Sequence, residues 1–250
     1  MDPHAYSDDD VAALYDVLNP WAPCDDFYLS HVMAAEAVLD VGCGTGTMLH
    51  RARAEGHPGR LCGIDPDLPS LRRARTRRDV EWAEGRAVDI ARRPEWQGEF
   101  DLVIMAGNAF QVFVGDEELR DSLAAVRTAL RPGGRFVFGT RNPAARAWER
   151  WTPENAAEVV DHHGRELRVE HRVESVVDGV VTLTETTAAR DGEPLRVDRG
   201  VLRFTAAEEI DRFLAGAGFQ VAERYGDRRR GPLTGASGEI VTVAHAVRAA

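Results

Sequence analysis

The sequence contains no lysine; all 31 basic side chains are arginines. That reads as the codon bias of a GC-rich genome, and no chemistry is drawn from it. Cysteine is scarce as well. Cys24, Cys43 and Cys62 are odd in number and no two stand at metal-ligand spacing. This argues against a disulfide framework and a metal site, and fits a reduced, cytoplasmic setting. No apolar run approaches the ~18 residues that a membrane span needs. The opening Met1-Asp2-Pro3-His4, leading into Asp8-Asp9-Asp10, has neither a basic nor an apolar region, so no secretory signal is expected. Positive charge is in deficit: 31 Arg against 41 Asp and Glu leave a net charge of -10. Binding to nucleic acid relies on Arg and Lys to neutralise phosphates, so no nucleic-acid partner is expected.

What remains is an ordinary soluble composition, 44% hydrophobic and 29% charged over 250 residues, enough for one domain with a sizeable core. Residues 7–18 read as an amphipathic helix capped by Ser7, with Val11, Leu14, Tyr15 and Leu18 at helical spacing. A loop at Asn19-Pro20-Trp21-Ala22-Pro23 follows, then the aromatic pair Phe27 and Tyr28. From Ala37 the pattern alternates. Short apolar runs at 37–41, 61–64 and 102–105 read as strands buried on both faces, with weaker strands at 80–82 and 86–88. Helices are expected from Met48 to Glu55, through Leu68, Leu71 and Ala74, and after a cap at Asp116. Pro132-Gly133-Gly134 then turns the chain into a strand at 135–139. Alternation of this kind implies right-handed βαβ units and a parallel sheet.

Beyond residue 140 the pattern changes. Residues 144–160 read as helical. Residues 166–177, 180–188 and 195–204 read as a three-stranded antiparallel meander, with turns at Asp178-Gly179 and Asp191-Gly192. A helix starting at Thr205, with Glu208 at the capping-box position, and strands at 219–224 and 239–247 close the chain.

The residues with chemical meaning begin at Val38-Leu39-Asp40-Val41-Gly42-Cys43-Gly44-Thr45-Gly46. A buried strand delivers an acid, then glycines at alternate positions, then a helix. Glycine lets the chain turn tightly and lets a ligand approach the backbone. Dinucleotides use such turns for a pyrophosphate, usually through Gly-x-Gly-x-x-Gly. Here the spacing is Gly-x-Gly-x-Gly, and Asp40 two residues upstream would repel a pyrophosphate. A carboxylate in that place suits a cationic ligand carrying an ammonium or a sulfonium.

This segment resembles the cofactor-binding signature of class I S-adenosylmethionine-dependent methyltransferases, and the resemblance extends over roughly residues 36–140. It implies that Asp40, Gly42, Cys43, Gly44 and Gly46 hold S-adenosyl-L-methionine. Asp65, followed by Pro66 at the end of the second strand, is placed to accept the ribose hydroxyls, as an acid does in NAD enzymes too. The resemblance also implies that Asp89, at the end of a third strand, binds the adenine amino group with Ile90 against the ring, and that Met105 borders the cofactor.

The expected fold is α/β: a Rossmann-like, doubly wound, seven-stranded, mostly parallel sheet with an antiparallel β insertion. The chain divides into a cap segment (1–35), a cofactor-binding core (36–143), the insertion (165–204) and a closing part (205–250), all one methyltransferase domain.

Ligands in open α/β sheets sit beyond the carboxyl ends of strands, so Asn108, Phe110 and Gln111 are expected to line the acceptor site. Tyr15 and Tyr28 are candidates to cover it. His162, His163, Asp161 and Tyr15 are candidate bases, although methyl transfer needs a base only where the acceptor must lose a proton as it attacks. No catalytic residue is assigned. The insertion reads as a lid, with self-association as a homodimer the alternative. The function expected is N- or O-methylation of a small-molecule acceptor. An NAD(P)-dependent oxidoreductase and a non-catalytic binding protein of the same fold are the rivals.

Overall fold

The computed structural model describes residues 6–247; the Met1-Asp2-Pro3-His4 stretch, considered as a leader, lies outside the described residues, as do 248–250. In chain order the elements are α1 (Asp8–Leu18), α2 (Asp26–Met33), β1 (Ala37–Val41), α3 (Thr47–Ala54), β2 (Arg60–Asp65), α4 (Leu68–Ala74), β3 (Glu81–Glu84), β4 (Phe100–Met105), α5 (Asp116–Ala129) and β5 (Leu130–Arg141). There follow β6 (Ala157–Val160), β7 (Glu166–Val177), β8 (Val180–Ala189), β9 (Pro194–Arg203), α6 (Ala207–Gly216), β10 (Phe219–Tyr225) and β11 (Glu239–Ala246).

Seven strands form one sheet in the order β10-β11-β5-β4-β1-β2-β3. Strands β1 to β5 pair in parallel, and β11 runs antiparallel to both β5 and β10. This is the expected doubly wound architecture. From β1 the chain order runs outward through β2 and β3 on one side and through β4 and β5 on the other. The switch between β1 and β4 opens a crevice at the strands' carboxyl ends, where such sheets bind ligands.

Burial on both sheet faces explains the continuous apolar runs. On one face Phe100, Phe136 and Phe138 pack with Leu119 and Leu123 of α5 and Leu214 of α6. On the other, Leu102, Val137 and Val241 pack with Val32 of α2 and Leu49 of α3. Burial of this apolar surface, roughly 25 cal/mol per Å², holds the layers together.

Several local expectations are corrected. Residues 144–160 are not helical. They form short 3₁₀ turns at Pro143–Ala145, Ala147–Arg150 and Pro153–Asn155, and then β6. Two prolines restart the chain, and Arg146 takes a left-handed φ of 46° that no helix continues through. The insertion is therefore a four-stranded antiparallel sheet, β6-β7-β8-β9, not a three-stranded meander. Residues 86–88 are not a strand either: β3 ends at Glu84, and Ala87–Arg92 is a 3₁₀ turn. Asp116 lies inside the first turn of α5, with Gly115 at the cap; its carboxylate pairs with Arg203 at 2.8 Å. Neither Thr205 nor Glu208 caps α6, which starts after Ala206 with no side-chain cap.

Candidate active site

The turn after β1 is built as its glycines suggest. Gly44 has φ of +53°, and a Cβ placed there would meet no atom within 4 Å. Side-chain-free space thus lies directly beside the backbone. Gly46 differs: a Cβ there would come within 2.6 Å of the Trp82 ring. Glycine at this position thus also serves close packing against β3.

Two acids frame the turn. Asp65 ends β2, and the Gly44 N–H donates to its Oδ2 (2.7 Å) while the Asp67 N–H donates to its Oδ1 (2.8 Å). The carboxylate is thereby fixed in orientation, and burial raises its pKa above the usual carboxylate range. Asp40, in β1, is only 2% exposed. Burial first, and the Asp65 charge second, push its pKa up to about 7. Its Oδ1 has no hydrogen-bond partner among the described residues. A buried acceptor without a donor is costly, by about 1–3 kcal/mol, and so is a site waiting for one.

Two cavities meet at this turn, of about 550 Å³ and about 530 Å³. They share Tyr15, Gly42, Gly44, Ala106 and Gly107. Asp40, Cys43, Tyr28 and Asn108 line the first; Asp65, Pro66 and Met105 line the second. Ten of the residues expected from sequence therefore converge on the crevice at the carboxyl ends of β1, β2 and β4.

Tyr15 crosses the boundary between the cavities from above, its phenol close to Gly107. Asp16 fastens its helix, α1, over the turn. The Thr45 hydroxyl donates to Asp16 Oδ1 at 2.5 Å, and Arg73 of α4 pairs with Asp16 Oδ2 at 3.1 Å. Burial and then the Asp16 charge raise the Tyr15 pKa, and burial raises that of Tyr28. Both phenols stay protonated at neutral pH and can donate. Burial likewise lifts the Cys43 thiol well above its usual range, so it is no nucleophile.

Other expected residues lie elsewhere. Asp89 accepts from the Arg86 N–H (2.9 Å) and pairs with Arg92 (3.0 Å), and it lines neither cavity; Arg86, Ala87 and Val88 do so in its place. Ile90 is fully buried in the core beneath. Phe110 stacks on Phe138 with ring centroids 4.4 Å apart, a core residue and not an acceptor contact. Gln111 is fully buried, accepting from Arg141 Nη1 (2.7 Å) and donating to the Arg203 carbonyl (3.2 Å). His162 lies against His163 with the rings tilted, beside Asp10, and lines neither of these cavities. Asp10, His162 and His163 stand close enough to share a cation, but the Arg165 guanidinium lies 3.5 Å from the same Asp10 oxygen and supplies the positive charge itself.

Trp21 and Arg141 line the first cavity and were not expected there. Arg141 ends β5, so the rule that placed the ligand at strand ends, applied to the fifth strand as well as the fourth, would have found it.

Against known proteins, residues 38–134 match the family model of a methyltransferase domain. The chain is 32% identical over 151 residues to the cypemycin N-terminal methyltransferase of a Streptomyces species. That match covers 57% of this chain and 59% of the relative, so it spans little more than half of the relative's length. Over the whole fold, the chain superposes on the S-adenosylmethionine-bound amino pentose methyltransferase of calicheamicin biosynthesis from Micromonospora echinaspora. The TM-score is 0.67 at 25% identity, covering 95% of this chain and 96% of the other. An S-adenosylmethionine-dependent methyltransferase from Clostridium acetobutylicum superposes with a TM-score of 0.73 over 95% and 98% of the two chains. At 16% identity that likeness is one of fold.

Proposed function

We infer that this chain, whose residues 38–134 match the family model of a methyltransferase domain, is a class I enzyme that transfers a methyl group from S-adenosyl-L-methionine to nitrogen or oxygen of a small metabolite. The observation that carries the reading is the buried Asp40 carboxylate, one oxygen unpartnered, beside the open space at Gly44. A cation belongs there and a pyrophosphate does not. The oxidoreductase alternative finds no support in this geometry or among these relatives.

The residues present fit the cofactor. Asp40 would take its positive charge, and Asp65, already fixed by two backbone donors, would accept the ribose hydroxyls. Pro66, Ala87 and Met105 would border the base. When bound, S-adenosylmethionine supplies a methyl group already activated by the positive sulfur. The chain's own work is then to hold the acceptor in line and keep water out; positioning of this kind reaches effective molarities of roughly 10⁵–10⁸ M. Tyr15, Trp21 and Tyr28 form the cover that excludes water, and the two phenols can donate hydrogen bonds to the acceptor.

Nitrogen is the favoured acceptor atom. By name, the Streptomyces relative acts at an N-terminus and the Micromonospora neighbour on an amino pentose. We place the enzyme in the cytoplasm: its cysteines are free, and no helix among the described residues is long and apolar enough to cross a membrane.

Calorimetry with S-adenosylmethionine tests the reading. Wild-type protein is expected to bind it, and Asp65→Ala to bind about ten- to a hundredfold more weakly, the range of a charged hydrogen bond. Unchanged affinity in the variant, or stabilisation by NAD in place of S-adenosylmethionine, overturns it.

A further inference from the structure

Strand β5 brings two hydrogen-bond donors together at the first cavity. Residues two apart on a strand share a face, so Gly139 and Arg141 look the same way. Over Gly139 lies the Tyr28 hydroxyl: a Cβ at that glycine would come within 2.5 Å of it. Tyr28 is only 2% exposed. It lines the first cavity, and its hydroxyl makes no hydrogen bond to any described residue. A buried hydroxyl without a partner is costly, and an acceptor atom on a ligand would relieve it.

Arg141 is the second donor. Its Nη1 donates to the fully buried Gln111 at 2.7 Å, and its guanidinium lies 5.1 Å from the Trp151 ring centroid. The group is thus held from two sides, while its charge goes unanswered. Among the described residues it makes no ion pair: Glu239, its register partner on β11, turns to Arg228 at 3.3 Å, which Asp25 engages as well. Burial lowers the Arg141 pKa more than the Glu239 charge raises it, yet an arginine keeps its proton at neutral pH. A half-buried guanidinium and a buried phenol, both donors and neither paired with an acid, suit an anion. Asp40 and Glu239 line the same cavity, so a single negative charge fits better than the double charge of a phosphate.

We propose that Tyr28 and Arg141 form a carboxylate site and that the carboxylate is the acceptor's, so that the enzyme methylates a small molecule bearing an acidic group apart from the reacting atom. The inference rests on the methyltransferase reading and names the acceptor's chemical class. The donor has a carboxylate too, on the amino-acid tail whose ammonium Asp40 would take. Position separates the two sources. Arg141 ends β5, which lies two strands from β1 on the side away from β2 and Asp65, roughly 10 Å at the usual strand spacing. It also lines a further cavity, of about 370 Å³, against the four-stranded sheet.

The test is calorimetry on protein saturated with S-adenosylhomocysteine. Each acid probe is paired with its amide: benzoate with benzamide, and phenylalanine with phenylalaninamide. At least one acid is expected to bind about tenfold or more tightly than its amide, as one charge-assisted hydrogen bond provides. Arg141→Gln should abolish that preference and Tyr28→Phe should reduce it severalfold, both leaving affinity for S-adenosylhomocysteine unchanged. Where Arg141→Gln disturbs Gln111 and the fold, Tyr28→Phe, which removes one oxygen atom, carries the test. Equal affinity for acid and amide, no binding of any probe, or a preference that survives the substitutions overturns the proposal. So does a loss of S-adenosylhomocysteine affinity in Arg141→Gln while methylthioadenosine, which lacks the amino-acid tail, binds as before: the carboxylate held is then the donor's. Failure of wild-type protein to bind S-adenosylhomocysteine defeats the methyltransferase reading itself and this inference with it.

Discussion

Asp40 weakens the fold for the sake of the site. In the unfolded chain its carboxyl titrates at the ordinary aspartate value of 3.8, and in the folded protein at about 7. Between those values the unfolded chain has lost the proton that the folded one still holds, so stability falls as pH rises from about 4 to about 7 and levels off above. Asp40→Asn removes that penalty. It is expected to raise Tm at pH 8 and leave it unchanged at pH 4, while weakening S-adenosylmethionine binding at pH 8. A lower Tm at pH 8 in a thermal scan would show that Asp40 is satisfied in some other way. In the wild type, binding a cation below pH 7 must expel a proton, so affinity should drop by about tenfold per pH unit below pH 6; Asp40→Asn should lose that dependence. At this scale the sequence was informative where chemistry is tied to a strand tip: Asp40 and Asp65 could be placed because a buried apolar run delivers each. Asp89 and Ile90 could not, because a six-residue stretch of mixed polarity reads equally as strand or 3₁₀ turn, and Gly85 ends the strand early. Phe110 and Gln111 were misread for another reason. The strand-end rule says where the backbone goes, not which way a side chain turns.

The turn between β1 and α3 separates two uses of glycine that are identical in sequence. Gly44→Ala forces a left-handed conformation on alanine, about 1–2 kcal/mol, and its methyl enters the open space. Expected are a modest loss in urea-measured stability and a much larger loss in cofactor affinity. Gly46→Ala bears the same strain and brings its Cβ within 2.6 Å of the Trp82 ring, so overpacking takes about 1–3 kcal/mol more and affinity should fall only as stability does. Equal profiles for the two variants would contradict this division. Above the turn, α1 is held by Asp16 through Thr45 and Arg73. The Asp16 ion pair is half-exposed, so Asp16→Ala should cost no more than about 1 kcal/mol of global stability. Stopped-flow should nonetheless show faster cofactor release, because the helix carrying Tyr15 is no longer pinned. Helix α1 was legible down to its Ser7 cap because its apolar spacing and its cap agree. Residues 144–160 misled because their composition suits a helix, while Pro143, Pro153 and the left-handed Arg146 break the chain into turns.

In the molecule as a whole, the seven-stranded sheet and the insertion sheet have separate hydrogen-bond ladders, so side-chain contacts between them decide whether the insertion keeps its place. The cross-strand row His171–Glu185–Asp198 was not legible in the sequence, because strand pairing alone brings it together and no local spacing announces it. Arg203, the last residue of β9, is one such fastening. Its guanidinium pairs with Asp116 of α5 and Glu209 of α6, each at 2.8 Å, and donates to the Val114 carbonyl at 3.3 Å. Its own backbone carbonyl accepts from Gln111, whose side chain in turn binds Arg141. The fastening therefore runs from the insertion, through α5 and the 109–112 turn, to Arg141, which lines the first cavity. Removing one partner of a buried pair costs about 3–5 kcal/mol, and less here because Asp116 is half-exposed. Arg203→Met should act unevenly. In hydrogen exchange, amides of β6 to β9 are expected to lose protection while those of β1 and β4 keep theirs, since the latter pair only within the large sheet. An even loss across both sheets would mean that they unfold as one unit and that Arg203 merely contributes to a shared core.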